Sequence, residues 1–306
     1  MKVESRKSKT ESRESKAHGQ FAFAGFSTLD PRRSTISGFT LIELLVVITI
    51  LGILAALTVP ALKNFGKSDT TLSASRQLLG DIGRARQLAM SDHTTVYMVF
   101  VPLDFWKDNP NSFLATLTPA QRTAATNLLD KQLSGYTFVS LRSLGDQPGQ
   151  KTRRYLAPWQ ALPDGTFIAT NKFEPPNVLL SSITQPLYSF WNQDYPHSDQ
   201  NKIYGFQTNA IPFPTEDSPP MPLPCLAFNY AGQLTTNGVD MAAADEYIPL
   251  ARGSVSPAID PATRALQFGP AQVSEIRPND SASISYNIIH IDRLTGRAIL
   301  EYHKMQ

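Results

Sequence analysis

Residues 39–62, FTLIELLVVITILGILAALTVPAL, constrain this chain more than any other stretch. Its 24 residues hold one charged side chain, Glu43, and the next charge is Lys63. A helix of that length rises roughly 36 Å at about 1.5 Å per residue, more than the roughly 30 Å hydrocarbon core of a bilayer. Lipid offers backbone N–H and C=O groups no partner, so a lone segment must satisfy them internally as a helix. The stretch predicts a membrane-spanning helix. A secretory h-region is only about 7–15 residues, followed by a small-residue cleavage site; this run is longer and ends in Val59-Pro60-Ala61-Leu62.

Glu43 is what a plain anchor does not explain. A carboxylate inside an apolar span costs about 2.5–3.5 kcal/mol on insertion scales, so it marks a functional position. It stands four residues after Phe39, which follows Gly38 directly. A cut between Gly38 and Phe39 would place a new ammonium one helical turn from the carboxylate. Within one chain the pair neutralises itself. In a bundle of such helices, Glu43 of one copy meets the amine of its neighbour and sets the register.

Gly38-Phe39-Thr40-Leu41-Ile42-Glu43 with the apolar run behind it resembles the class III signal of type IV pilins and type II secretion pseudopilins. The resemblance implies cleavage after Gly38 by a prepilin peptidase, N-methylation of Phe39, and Glu43 as the assembly carboxylate. Its implied partners are other pilins or pseudopilins, the peptidase and an inner-membrane assembly platform. Gly52 and Pro60 fall where that family carries a Gly and a Pro, places where a helix loosens on assembly.

The span divides the chain into a leader (1–38), the membrane and assembly helix (39–62) and an exterior domain (63–306). The leader holds eight Lys/Arg against four Asp/Glu, and Arg32 and Arg33 precede the span. The positive-inside rule keeps that end cytoplasmic and sends the rest outward. Of 28 Lys/Arg and 26 Asp/Glu in the whole chain, 20 and 22 remain after the leader, a net charge of −2. A domain so close to neutral carries no electrostatic footprint for nucleic acid.

Residues 63–92 read as a second helical stretch. Gly66, Lys67, Ser68 and Asp69 weaken its join to the span, and Asp69 is placed to cap a restarted helix. Leu72, Leu79, Ile82, Ala85 and Ala89 fall on one face at helical spacing, with Arg76, Arg84 and Arg86 mostly away from it, as a solvated face or subunit contacts. TTVYMVFV (94–101) reads as the first strand. The junction ARQLAMSDHTTVYMVF (85–100) is similar to that of the minor H-type pseudopilins.

An insertion, 102–135, follows. Its segment 118–135 reads as a helix with Thr118 as N-cap, Pro119 at the first position, Gly135 past the end, and Leu128, Leu129 and Leu133 buried. Strands are expected at 136–144, in 162–170 behind a turn, across 225–238 and at 246–255. The chain closes with a hairpin over 284–303, turned at Arg293-Leu294-Thr295-Gly296; Thr295-Gly296-Arg297 again resembles the H-type family. A second insertion, 171–224, has no clear pattern. Its piece 211–224 carries six prolines in fourteen residues and reads as a surface loop or stiff arm. The aromatics Tyr188, Phe190, Trp191, Tyr195, Tyr204 and Phe206 indicate that this loop packs down. A sugar- or peptide-binding groove is the sharper reading of them.

The expected fold is α+β: a long N-terminal membrane-spanning helix continuing into an amphipathic stem packed on one antiparallel sheet, pilin-like in form. The catalytic inventory is thin. A single cysteine, Cys225, excludes an intramolecular disulfide and reads as a buried, inert thiol. His18, His93, His197, His290 and His303 show no metal-ligand spacing, with His290 and His303 placed to face each other across the final hairpin. Asp245 and Glu246 are adjacent, which in a strand points them to opposite faces. No cofactor is expected. The reading is a non-enzymatic minor subunit, processed and built into a pilus or pseudopilus. The alternatives are a DNA-binding minor pilin, if Lys151, Arg153, Arg154, Arg293 and Arg297 converge, and a membrane-tethered enzyme, if a pocket gathers titratable groups.

Overall fold

The computed structural model describes residues 40–107, 113–140, 142, 146–147, 152–174, 188–191, 201–276 and 284–305; of these, the side chains of 55–69, 188–191, 201–202, 284–285 and 303–305 are not described. The chain divides into two compact units, Met1–Ala55 and Ala56–Gln306.

Helix α1 (Leu41–Ser91) has residues in both units. In the first unit its start is capped by Thr40, whose Oγ1 accepts the Glu43 N–H at 3.3 Å. This satisfies one of the four backbone donors that a helix N-terminus leaves open. Every side chain from Leu41 to Leu54 is exposed. Among the described residues no helix is long and apolar enough to cross a membrane; the expected span, 39–62, lies only in part within them.

The weak join and restarted helix expected at Gly66–Asp69 are not formed. The backbone is helical throughout Leu41–Ser91. A glycine inside a helix costs about 1 kcal/mol relative to alanine, whereas a break opens four carbonyls and four N–H groups. Continuing the helix is the cheaper choice.

In the second unit the stem buries Thr71, Ala74, Ser75, Leu78, Ile82, Ala85 and Ala89. Ile82, Ala85 and Ala89 fall where the sequence places them. Leu72 and Leu79 flank the face half-buried, and Leu78 takes the centre.

In chain order the stem is followed by β1 (Val96–Phe100), α2 (Phe113–Thr116), α3 (Pro119–Thr126), β2 (Gly135–Ser140), β3 (Arg154–Tyr155), β4 (Gln160–Ala161), β5 (Thr166–Ile168), β6 (Tyr188–Trp191), β7 (Asn201–Ile203), β8 (Gln207–Pro212), β9 (Pro220–Phe228), β10 (Leu234–Thr235), β11 (Glu246–Ser256), β12 (Gln272–Glu275), β13 (Ile284–Ile291) and β14 (Ala298–Met305). They form two seven-stranded sheets rather than the one expected. The first runs β10-β9-β1-β2-β3, with β4 on β2 and β8 on β9; the second runs β12-β11-β13-β14-β6-β7, with β5 on β11. All these pairings are antiparallel. Neighbouring strands rotate by about 20–25°, so a single sheet carrying all of them would twist away from one helix. Two sheets let Met98, Phe138 and Phe228 of the first and Ile248, Leu250 and Ile289 of the second share one core with Leu78 and Ile82.

Strand β1 is buried at every residue. Val96, Met98 and Phe100 face the stem, while Tyr97 and Val99 face a second core built by the first insertion with Phe105, Trp106, Phe113, Leu128 and Leu129. A strand covered on both faces has no polar side to alternate with, hence the run VYMVF.

The insertion helix is shorter than expected. Thr118 and Gln121 make a capping box and Pro119 opens α3, but the helix ends at Asn127. Leu128, Leu129 and Leu133 are buried as expected, from a single turn and the loop behind it, and Gly135 begins β2. The proline-rich stretch is not a loop either. Pro220, Pro222 and Pro224 sit in β9 opposite Pro212, Ala210 and Thr208 of β8. Their missing N–H groups recur at period two along one edge, and β1 pairs only with residues 225–228. The prolines therefore occupy an edge that no strand of the ladder uses. Phe206 does pack down, stacked on Phe100 at 4.6 Å between centroids. The side chains of Tyr188, Phe190, Trp191 and Tyr195 lie outside those described.

Candidate functional site

Gly38 and Phe39 lie outside the described residues. Glu43 is described, in the first turn of α1. There a carboxylate lies close to the positive end of the helix dipole, worth about 0.3–1 kcal/mol at an exposed site. The side chains that follow form an exposed apolar surface, with Leu41 at 82% and Ile53 at 63%. Its one hydroxyl within Leu41–Leu54, on Thr49, donates back to the carbonyls of Leu45 (3.0 Å) and Val46 (2.8 Å). With that donor spent internally, the surface beyond Glu43 offers an apolar environment nothing to reject.

In the second unit, polar side chains join the elements. Tyr136, fully buried, donates its hydroxyl to Asp81 on the stem and accepts Gln77 Nε2 at 2.8 Å. Burial first, and Asp81 second, hold its phenol well above the ordinary tyrosine range. Arg86 donates from Nε to the carbonyls of Gly232 (3.2 Å) and Thr295 (2.7 Å), tying two turns to the end of the stem. Arg84 lies over the Phe138 ring at 5.6 Å. Of the three arginines read as solvated or intersubunit, Arg76 and Arg84 are exposed, while Arg86 is half-buried and holds two turns of its own chain.

Lys172 is fully buried. Its Nζ donates to the Tyr204 carbonyl at 2.6 Å, pairs with Glu246, and stands 4.7 Å from the centroid of Phe206. Burial pulls its pKa down while Glu246 pulls it back up. Asp245, next in the chain, goes elsewhere: Oδ2 meets His290 Nε2 at 3.0 Å and Oδ1 accepts the Arg293 N–H at 2.9 Å. The two acids thus serve separate partners, although Asp245 lies just before β11 and strand alternation is not what parts them.

His290 and His303 do not face each other. In the β13–β14 ladder His290 is opposite Ile299, and His303 is opposite Tyr286. The turn there closes at residues 292–297, which leaves the residue opposite His290 four positions short of His303. His290 Nδ1 meets Glu301 instead, at 2.8 Å. Its two carboxylates address opposite ring nitrogens and cannot share an ion. Among the described residues no group of three such side chains could hold a metal.

A cavity of about 220 Å³ is lined by Cys225, Leu226, Leu234 and residues 242–246, with the Ala242 N–H donating to the Leu234 carbonyl at 2.8 Å. Cys225 is buried, and burial pushes its thiol up to about 12. A thiol that stays protonated at neutral pH is a poor nucleophile. As for a cationic stripe, Arg154 is on β3 of the first sheet and Arg293 follows β13 of the second. The Arg293 guanidinium already donates to the Ala243 carbonyl. Lys151 lies outside the described residues.

Residues 33–59 match the prokaryotic N-terminal methylation motif. That motif is the hallmark of type IV pilins and pseudopilins, and residues 33–59 of this chain are similar to it. It places Gly38, Phe39 and Glu43 in one matched segment. No curated protein and no solved structure matches the chain.

Sequence reasoning did not find Lys172, Tyr136 or the Glu301 partner of His290. A lysine in TNKF (170–173) looks like any solvated lysine. Only its two aromatic neighbours, Phe173 and Phe206, hint at burial, and Phe206 is remote in sequence.

Proposed function

We propose that this chain is a structural minor subunit, a pseudopilin of a type II secretion system or a minor pilin of a type IV pilus. It is cut after Gly38 by a prepilin peptidase, methylated at Phe39, and held through residues 39–62 in the inner membrane with residues 63–306 outside. On assembly the helix leaves the bilayer for a filament core, where Glu43 pairs with the methylated Phe39 amine of a neighbouring subunit. The observation that carries this is the methylation motif at 33–59, with Glu43 at the head of an apolar helix. The insertions 102–135 and 171–224 enlarge the exterior unit, which suits a minor subunit at a tip better than a repeated shaft subunit.

The test is intact-mass and N-terminal analysis of the protein from its host's membranes, for wild type and Gly38→Ala. A wild-type chain beginning at methylated Phe39, with the variant uncut, is the expected result. Glu43→Gln should be cut normally yet fail to enter sheared filaments. An uncut wild-type chain, or one cut elsewhere, overturns the proposal and leaves a plain anchored domain.

A further inference from the structure

The cavity wall formed by residues 242–246 is held to the final hairpin by two kinds of tie. One does not depend on pH: the Arg293 guanidinium donates to the Ala243 carbonyl, and the Arg293 N–H donates to Asp245 Oδ1 at 2.9 Å. The other runs through His290, whose Nε2 meets Asp245 Oδ2 at 3.0 Å and whose Nδ1 meets Glu301 Oε1 at 2.8 Å. A carboxylate only accepts, and a neutral imidazole carries one N–H and one lone pair. Both contacts are hydrogen bonds only when the ring holds two protons. The Tyr247 ring stacks on the imidazole at 4.6 Å and 15°, a surface that also favours a cation.

We propose that Asp245, His290 and Glu301 form a proton-operated latch on the wall of this cavity. With the ring doubly protonated, an imidazolium bridges the two carboxylates and the wall is closed. With one proton lost, one ring nitrogen turns a lone pair toward a carboxylate, and one contact must open. The contact to Asp245 is the longer and its carboxylate the more exposed, 30% against 23% for Glu301, so Asp245 is the side released, which leaves the wall on the Arg293 ties and on the Ala242 N–H bond to the Leu234 carbonyl alone. The charged and titratable groups around the ring are Asp245, Glu246 and Tyr247 at the start of β11, Asp292 and Arg293 in the turn, and Glu301 on β14. Lys172 offsets Glu246 and Asp292 is engaged by Thr295, which leaves Asp245 and Glu301 as the acids in contact with the ring.

Cys225 lines the cavity and is the chain's one cysteine, so its alkylation reports opening. The full chain in detergent micelles is labelled with a maleimide at several values from about pH 5 to 8, the range in which histidines titrate. Each rate is divided by that of the denatured chain at the same pH. The normalised wild-type rate should rise about tenfold across the range, the least that loss of one charge-assisted hydrogen bond implies. His290→Gln should show no such rise. Glu301→Gln should stay closed throughout, because its amide can donate to the bare nitrogen of a neutral ring. In wild type, the two ring 15N resonances of His290 should sit together while the latch is closed and split as it opens. That reading needs no variant to fold. A flat wild-type profile, a Glu301→Gln variant that opens like wild type, or a ring already neutral at the acid end overturns the latch.

Discussion

Gly296→Ala is the substitution whose cost the structure sets most tightly. Gly296 has φ +62° in the β13–β14 turn, where an alanine costs about 1–2 kcal/mol. Alanine also restricts the unfolded chain, which returns about 0.4–1 kcal/mol. Backbone strain alone therefore leaves about 1 kcal/mol. The larger effect is proximity, because a Cβ built on Gly296 lands inside contact distance of the Gly232 carbonyl oxygen. The two turns must part, and Arg86 Nε, bonded to Gly232 at 3.2 Å and Thr295 at 2.7 Å, cannot keep both. A hydrogen bond from a charged donor is worth about 1.5–3 kcal/mol, which brings the expected loss to about 3 kcal/mol. Gly165→Ala isolates the backbone part: its φ is +89°, but the nearest atom to a new Cβ is Thr70 Oγ1 at 3.7 Å. Urea unfolding of the full chain in micelles, followed by tryptophan fluorescence, should give midpoints lowered in the ratio of roughly three to one at unchanged slope. Equal losses in the two variants would refute the close-approach argument. So would a loss in Gly296→Ala that persists in an Arg86→Ala background at full size, since Arg86 then plays no part.

Two further outcomes follow from buried groups. Lys172→Met strands Glu246 against apolar neighbours and should lower stability by about 3 kcal/mol, while Lys172→Met with Glu246→Leu should recover most of that loss in the same unfolding assay. Cys225 keeps its proton in the fold to about pH 12, whereas an unfolded thiol ionises near 8.5. Above about pH 8.5 the unfolded state therefore binds fewer protons, and stability falls by up to about 1.4 kcal/mol per pH unit. Cys225→Ala should remove that component from the alkaline stability profile, and an unchanged profile would count against thiol burial.

The features legible in the sequence are those written in consecutive residues. Gly38, Phe39 and Glu43 are a local code, and Ile82, Ala85 and Ala89 recur at the helical period. Thr118-Pro119 opens a helix through its own cap, and Thr295-Gly296 closes a hairpin next to the strands it joins. What was illegible depends on partners far along the chain. Proline reads as a strand breaker, yet Pro220, Pro222 and Pro224 are admitted to β9 because β1 stops short of them. The number of sheets was hidden because no run of residues states which strand edge it will meet. Lys172 and Glu246 are 74 residues apart, and neither neighbourhood announces a buried charge. Gly66 and Asp69 misled in the opposite sense, since a local breaking signal lost to the larger cost of opening a helix in its middle.

The two described stretches of α1 offer different surfaces, which bears on where assembly energy can come from. From Leu41 to Leu54 the exposed surface is apolar apart from Glu43 and Thr49. On the stem, the exposed positions are Ser73, Arg76, Gly80, Arg84, Gln87 and Ser91, a stripe without one large apolar side chain. Burying apolar area yields about 25 cal/mol per Å², and an exposed charge pair about 0–1 kcal/mol. A filament contact made through the stem is therefore weak and salt-sensitive, suited to choosing among partners. A contact made through 41–54 is strong and indifferent to partner identity, apart from the single charge at Glu43. Strength and selection then separate along one helix, and a substitution such as Arg76→Glu should alter which subunits co-purify without reducing the amount anchored in the membrane.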